Sequence, residues 1–257
     1  LEKIEWSPSR TGLINPVAVF DPVELEGTTV SRASVHNISI MRELQLGIGD
    51  RITVYKANMI IPQIAENLTK SGELPIPDTC PACGQSTEIR RVNEVEYLYC
   101  TNPDCPAKKI KAFALFASRD AMNIDGLSEA TLEKFIARGF IHDFGDIFEI
   151  SRHREEIVTM EGFGEKSFEN LMASLEKARE TTLAKVIYSL GIANIGLANA
   201  KVICRHFDDD LEKIRRADEE EVSSIDTIGP VIARSLTEYL ADPENNRKLD
   251  HLMSHLA

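Results

Sequence analysis

Four cysteines, Cys80, Cys83, Cys100 and Cys105, stand as Cys-x2-Cys, a sixteen-residue gap, then Cys-x4-Cys. Thiolates at this spacing can close around one zinc ion as a tetrahedron, and Pro81 and Gly84 supply the rigid and the permissive positions of such a knuckle. Four thiolates leave no position for water, so the expected zinc is structural, not catalytic. The rival reading is two disulfides. The sequence has no cleavable apolar leader and no stretch long enough to span a bilayer, which favours a reducing cytoplasm where thiols persist. The fifth cysteine, Cys204, stands alone in a helical stretch and reads as a small buried hydrophobe.

A second set of residues suits phosphate. Gly126-Leu-Ser128, Gly162-Phe-Gly164, Ile195-Gly196 and Ile228-Gly229 each follow a short apolar segment, and aligning Ser128, Gly164, Gly196 and Gly229 gives steps of 36, 32 and 33 residues. A period of this length demands a repeat. Tetratricopeptide and ankyrin repeats share the length but not the tight-turn glycines. The helix-hairpin-helix matches better: its apolar-x-x-apolar-x-Gly-apolar-Gly core is complete at Gly162 to Gly164 and partial in the other three copies. Glycines let the backbone approach a ligand, and a helix beginning there offers unpaired N–H groups and the positive end of its dipole. Lys166, two residues on, adds a point charge. Gly164 is expected to take a positive φ that a β-branched residue would disturb. The plainer alternative is that these glycines only let helices cross closely, and Ser128 at the first turn makes it strongest there.

The elements that carry these residues differ along the chain. From Leu1 to about Leu68 the pattern is strand-like, with Ile52-Thr-Val54-Tyr alternating after Gly47-Ile-Gly49-Asp50 and one short helix expected in Asn37 to Leu46. Short strands between Gly, Pro and Asp turns read as a small β-barrel. Ser71 to Asp78 reads as a linker, and from Cys105 onward the apolar period is helical, beginning with Ile110, Phe113, Ala114, Phe116 and Ala117. The expected fold is multidomain α+β, with a small β-barrel over residues 1–74, a four-cysteine zinc module over 75–107 and an all-α domain of four hairpins over 108–257. The 257 residues carry 29 Lys and Arg against 41 Asp and Glu, a formal charge of −12. That average speaks against a nucleic-acid partner, but binding is decided by the local field, and backbone N–H donors add no formal charge. Basic clusters stand at Arg90-Arg91, Lys108 to Lys111 and Arg215-Arg216, while Asp208 to Asp210 and Asp218 to Glu221 read as solvated linkers and helix N-termini. The start at Leu1, without methionine, reads as a fragment.

The whole chain resembles the bacterial NAD-dependent DNA ligases. The strings that carry the resemblance are Arg10-Thr11-Gly12, Asn15-Pro16-Val17-Ala18, Val30 to Asn37, Leu46 to Asp50, Ile61-Pro62, the cysteines with Cys100-Thr-Asn102-Pro103-Asp-Cys105-Pro106-Ala107, and Ala121 to Gly126. It implies an OB fold, a zinc finger and a four-hairpin helical domain. It further implies that Arg10, Thr11 and Lys56 contact DNA and that Ile60 and Ile61 lie against sugar and base edges. Read alone, Arg10 also fits a surface ion-pair partner, the lesser of its two readings, and the isoleucines read as a buried strand end. The family's usual Ala-Gly-Asp before that apolar pair is here Ala57-Asn58-Met59, and the glycine usual before Arg-Thr-Gly is Ser9. His36 and Asn37 fit a loop-fixing role as well as a DNA contact.

The family's adenylation lysine sits in Lys-x-Asp-Gly, which occurs nowhere here; the NAD-specific N-terminal and C-terminal BRCT domains are also missing. The resemblance therefore implies the DNA-gripping portion of a cytoplasmic ligase of replication and repair. Such a portion would bind nicked duplex without reading sequence and be inactive alone, with NAD and Mg used only by the full-length enzyme through its adenylation domain. Gly162, Gly164, Lys166, Gly196 and Gly229 are the expected hairpin contacts. The alternative is a freestanding repair scaffold built from the same modules.

Overall fold

The computed structural model describes all 257 residues, which divide into two compact units, Leu1–Lys109 and Ile110–Ala257. In the first, β1 (Lys3–Pro8), β2 (Leu13–Leu25), β3 (Thr28–Ser34), α1 (Ile38–Glu43), β4 (Ile52–Ala57) and β5 (Ile61–Asn67) form the barrel-like part. The hairpin β6 (Thr87–Val92) and β7 (Val95–Cys100) follows. Along β2, Ile14, Pro16, Ala18 and Phe20 are buried while their neighbours are not, the period of two that one buried face dictates. A register shift between Val19 and Val23 lets this long strand bend between β1 and β3. Leu1 closes the seam: its ammonium donates to the Asp50 carbonyl at 2.6 Å and its carbonyl accepts from Gly49. Ala18, Phe20, Val30, Ala33, Val35, Met41 and Leu46 fill the interior. Asn37 caps α1, its Oδ1 accepting from the Ile40 N–H at 2.9 Å, and so fixes the loop.

The sheet does not stop at the barrel. β7 pairs antiparallel with β2, Leu13 opposite Tyr99 and Ile14 opposite Leu98, so the cysteine-bearing hairpin continues the barrel's sheet in the order β4-β5-β3-β2-β7-β6. The Ser71 to Asp78 stretch has no regular structure, yet Leu74 and Ile76 pack on the barrel core.

The remainder is helical: α2 (Pro106–Ala117), α3 (Glu129–Ala137), α4 (Phe144–Ile147), a 3-10 turn (Ile150–His153), α5 (Arg154–Ile157), α6 (Glu165–Ala178), α7 (Leu183–Ser189), α8 (Leu197–His206), α9 (Leu211–Arg216), α10 (Glu219–Ser223), α11 (Pro230–Ala241) and α12 (Pro243–Met253). One apolar core joins them, from Phe113 and Phe116 to Leu249 and Leu252, and includes Cys204, whose thiol burial pushes up to about 12. The acidic runs start helices: Asp210 caps α9 and Asp218 caps α10. No helix is long and apolar enough to cross a membrane.

Candidate metal centre and hairpin turns

The Cys-x2-Cys turn is built by two backbone bonds, Gly84 N–H to Cys80 O at 2.9 Å and Cys80 N–H to Gln85 O at 2.8 Å, with Gly84 at φ +73°. Cys100 ends β7 and Cys105 immediately precedes α2. The four sulfurs lie within 4.8 Å of one another, with Cys80 to Cys105 at 3.9 Å and Cys83 to Cys100 at 3.6 Å. A zinc ion at the ~2.3 Å thiolate distance needs tetrahedral sulfurs about 3.8 Å apart, so the quartet fits the ion. All four thiols are free, which disposes of the disulfide reading. Burial pushes the Cys83 thiol up, but hydrogen bonds from the Gln85 N–H and the Asn102 side chain outweigh it and hold it down at about 7, while burial pushes Cys100 up to about 12. Donors aimed at sulfur stabilise thiolate charge in a closed site.

Arg10, Thr11 and Gly12 form the β1–β2 turn, in which the Gly12 N–H donates to Ser9 O and Arg10 and Thr11 are exposed. Lys56, on β4, bonds the Thr28 hydroxyl. Ile60 and Ile61 are not a buried strand end: they are 76% and 51% exposed at the β4–β5 hairpin, beside Met59 at 74%. Asn58 and Met59, both at positive φ, make the turn that thrusts this apolar tip outward. The basic clusters are largely paired, Arg90 with Glu88, Arg91 with Glu96, Lys111 with Glu129 and Arg215 with Glu212 and Asp250, and so are weak candidates for a free cationic face.

The four repeats are in register. Ser128, Gly164, Gly196 and Gly229 are the N-caps of α3, α6, α8 and α11, and each cap carbonyl accepts from the residue four places on, Leu132, Phe168, Ala200 and Ala233. Those four residues are all buried, anchoring the start of each second helix. Two places before each cap the backbone is left-handed, at Gly126, Gly162, Asn194 and Thr227, with φ +90°, +80°, +66° and +71°. This corrects the expectation for Gly164, whose φ is −153°, an extended value any residue adopts; the strained position is Gly162. A Cβ on Gly164, Gly196 or Gly229 would meet nothing within 4 Å, so no packing in the fold requires glycine at these caps. At the first repeat the Ser128 hydroxyl accepts from the Thr131 N–H, satisfying a donor that the glycine caps leave open. In α11, Pro230 at the first helical position removes one N–H. Lys166 is exposed. Lys201 and Arg234, each five places past its cap glycine and exposed, extend the cationic set, Arg234 with Glu219 3.5 Å from its Nε. Their shared offset from the repeated glycine was the signal that could have found them.

Residues 1–73 match the NAD-dependent DNA ligase OB-fold domain, residues 79–107 the NAD-dependent DNA ligase C4 zinc finger domain, and residues 185–249 the helix-hairpin-helix motif. The chain is 62% identical over 256 residues to a DNA ligase of Lachnoclostridium phytofermentans and 57% identical over 256 residues to one of Ruminiclostridium cellulolyticum. Each match covers 100% of this chain and 39% of the relative. A DNA ligase of Brevibacillus brevis is 42% identical over 257 residues, covering 98% and 38%. The chain thus spans 39% of the length of the two relatives named first.

Proposed function

Since the chain carries the OB-fold and C4 zinc finger domains of the NAD-dependent DNA ligases followed by helix-hairpin-helix turns, we propose that it is the part of such a ligase that grips nicked duplex DNA. The observation that carries this reading is the three glycine caps, Gly164, Gly196 and Gly229, whose missing side chains no neighbour in the fold requires. A phosphate oxygen seated on the open N–H groups of these first turns would meet the bare backbone and the helix dipole. Lys166, Lys201 and Arg234 would add charge nearby. The Met59-Ile60-Ile61 tip would press on sugar and base edges, with Arg10, Thr11 and Lys56 contacting the backbone. Zinc, held by Cys80, Cys83, Cys100 and Cys105, supplies folding energy to its small module and no chemistry. Residues 1–74, 75–107 and 108–257 would act as three modules on one duplex.

In this reading the chain performs no covalent step. The lysine that takes AMP from NAD, with Mg, belongs to an adenylation domain whose Lys-x-Asp-Gly string these residues do not contain, and the setting is bacterial cytoplasm. Contacts to phosphate and sugar position a protein without reading bases. Fluorescence anisotropy on nicked, intact and single-stranded oligonucleotides of two unrelated sequences tests the reading. Expected are preference for duplex, equal affinity for the two sequences and a steep fall with salt as counterions are released. Salt-insensitive or sequence-selective binding would sink it.

A further inference from the structure

Away from the hairpin turns, α12 and the segment around α4 bring together a set of side chains more than a hundred positions apart. His251 lies in the last turn of α12 and His255 four residues on, their rings 5.3 Å apart. This spacing places both imidazoles on one side of the chain. Facing them is Glu149, whose Oε2 is 2.6 Å from His251 Nε2 and 3.6 Å from His255 Nε2. All three are largely buried, with side chains 26%, 21% and 17% exposed.

The surroundings are organised around that cluster. Asp143 Oδ1 lies 2.9 Å from His251 Nδ1 and Glu149 Oε2 lies 2.6 Å from its Nε2, so Asp143 orients the ring and Nε2 faces Glu149. A carboxylate behind a histidine in this way is the usual support of a metal-bound imidazole. Phe148 stacks on His255, centroids 6.0 Å apart. Arg152 engages the other oxygen of Glu149 at 2.5 Å, leaving Oε2 for the histidines. Gly145, in the middle of α4, has no left-handed backbone to explain it, yet a Cβ there would lie 2.6 Å from His251 Nδ1 and 2.7 Å from Cγ. The glycine makes the space in which the imidazole sits.

We propose that Glu149, His251 and His255 form a second metal site, distinct from the four cysteines, for a borderline divalent cation such as zinc, cobalt or nickel. Zinc bound to nitrogen and oxygen at ~2.0–2.2 Å spaces its ligands roughly 3.3 Å apart; the 3.6 Å from Glu149 to His255 is near that value, while the 2.6 Å from Glu149 to His251 is a hydrogen bond that the ion would have to open. Two imidazoles and one carboxylate suit these cations rather than magnesium or calcium. The ion would tie α12 to the α4 segment, with a water completing its shell.

Cobalt titration of the full 257-residue chain, followed by visible absorption, tests this. Expected are two equivalents, one with intense thiolate charge-transfer bands lost in Cys80→Ser, the other with weak visible bands lost in His251→Gln and in His255→Gln. Asp143→Asn, which keeps the helix cap, should weaken only the second equivalent, by about tenfold or more. Circular dichroism of the histidine variants matching the parent excludes unfolding as the cause of their loss. Uptake of a single equivalent by the parent, or retention of two in both histidine variants, overturns the site. In the first case the cluster is an ion-pair latch with His251 protonated between Asp143 and Glu149.

Discussion

The Cys100 N–H donates to the carbonyl of Gly12 at 2.8 Å, so a single hydrogen bond ties a zinc ligand to the turn that presents Arg10 and Thr11. Lys108 reinforces the junction, donating to the Cys100 carbonyl at 3.0 Å. Gly12 sits at φ +89°, and a Cβ there would lie 2.6 Å from Lys108 Cε and 3.1 Å from Cys100 O. Gly12→Ala should therefore destabilise the first unit by about 1–3 kcal/mol through backbone strain and displacement of Lys108. Urea unfolding followed by Trp6, the single tryptophan, reads this change.

Removing zinc should disturb more than the knuckle. Cys80→Ser, or a strong chelator, should abolish thiolate-bound zinc and also alter the amide resonances of Arg10, Thr11 and Gly12, because their anchor is Cys100. Metal analysis and two-dimensional NMR check both halves; unchanged turn resonances in the zinc-free chain would show the barrel holding that turn unaided. Much of the folding energy of so small a module comes from its ion.

The two glycines of the second hairpin should separate stability from binding. Gly162→Ala, at φ +80°, should cost about 1–2 kcal/mol of stability. Gly164→Ser should leave stability unchanged or raise it by a few tenths of a kcal/mol, since serine is the better N-cap. It should weaken DNA binding by about tenfold, the worth of one charged hydrogen bond lost where the added side chain blocks approach. Thermal melts and anisotropy on the same two proteins decide it. Equal affinity of Gly164→Ser and the parent would make this hairpin a packing element.

Asp50 gives the first unit its acid sensitivity. Burial opposes its charge, but the donors of Asn67, Thr69 and Ser71 at 2.9, 2.8 and 3.1 Å outweigh burial and hold its carboxyl well below the usual carboxylate range. A depressed folded pKa means stability that is fully present above the unfolded value of about 3.9 and lost as pH falls below it toward the folded value. Asp50→Ala should cost about 2–4 kcal/mol at neutral pH by stranding these donors and should flatten the acid limb of the stability profile measured in urea.

What the sequence made legible was local. Cysteine spacing located the metal centre because a knuckle is built from neighbours, and the period through Phe113 and Phe116 followed from one-sided burial; Val17 to Phe20 is apolar at every position, so its alternate burial left no such mark. The left-handed position before each hairpin cap was visible only where glycine occupies it; Asn194 and Thr227 take the same φ without advertising it, each followed by a buried isoleucine, Ile195 and Ile228. The exposed tip at Ile60 read as core because hydrophobicity alone does not say which end of a strand faces solvent. Contacts between distant positions, Leu98 with Ile14 or His251 with Asp143, leave no periodic trace at all.

The pairing of β7 with β2 bears on how this protein can be cut into pieces. A gene truncated after residue 74 would encode every strand of the barrel, yet it would deliver them with the edge at Leu13 and Ile14 stripped of its neighbour. The surface on which Ile14 and Ile38 pack with Leu98 and the cysteines would then face water. Such an open, apolar edge recruits other chains, so the smallest soluble barrel is one that retains residues 75–109, with its metal.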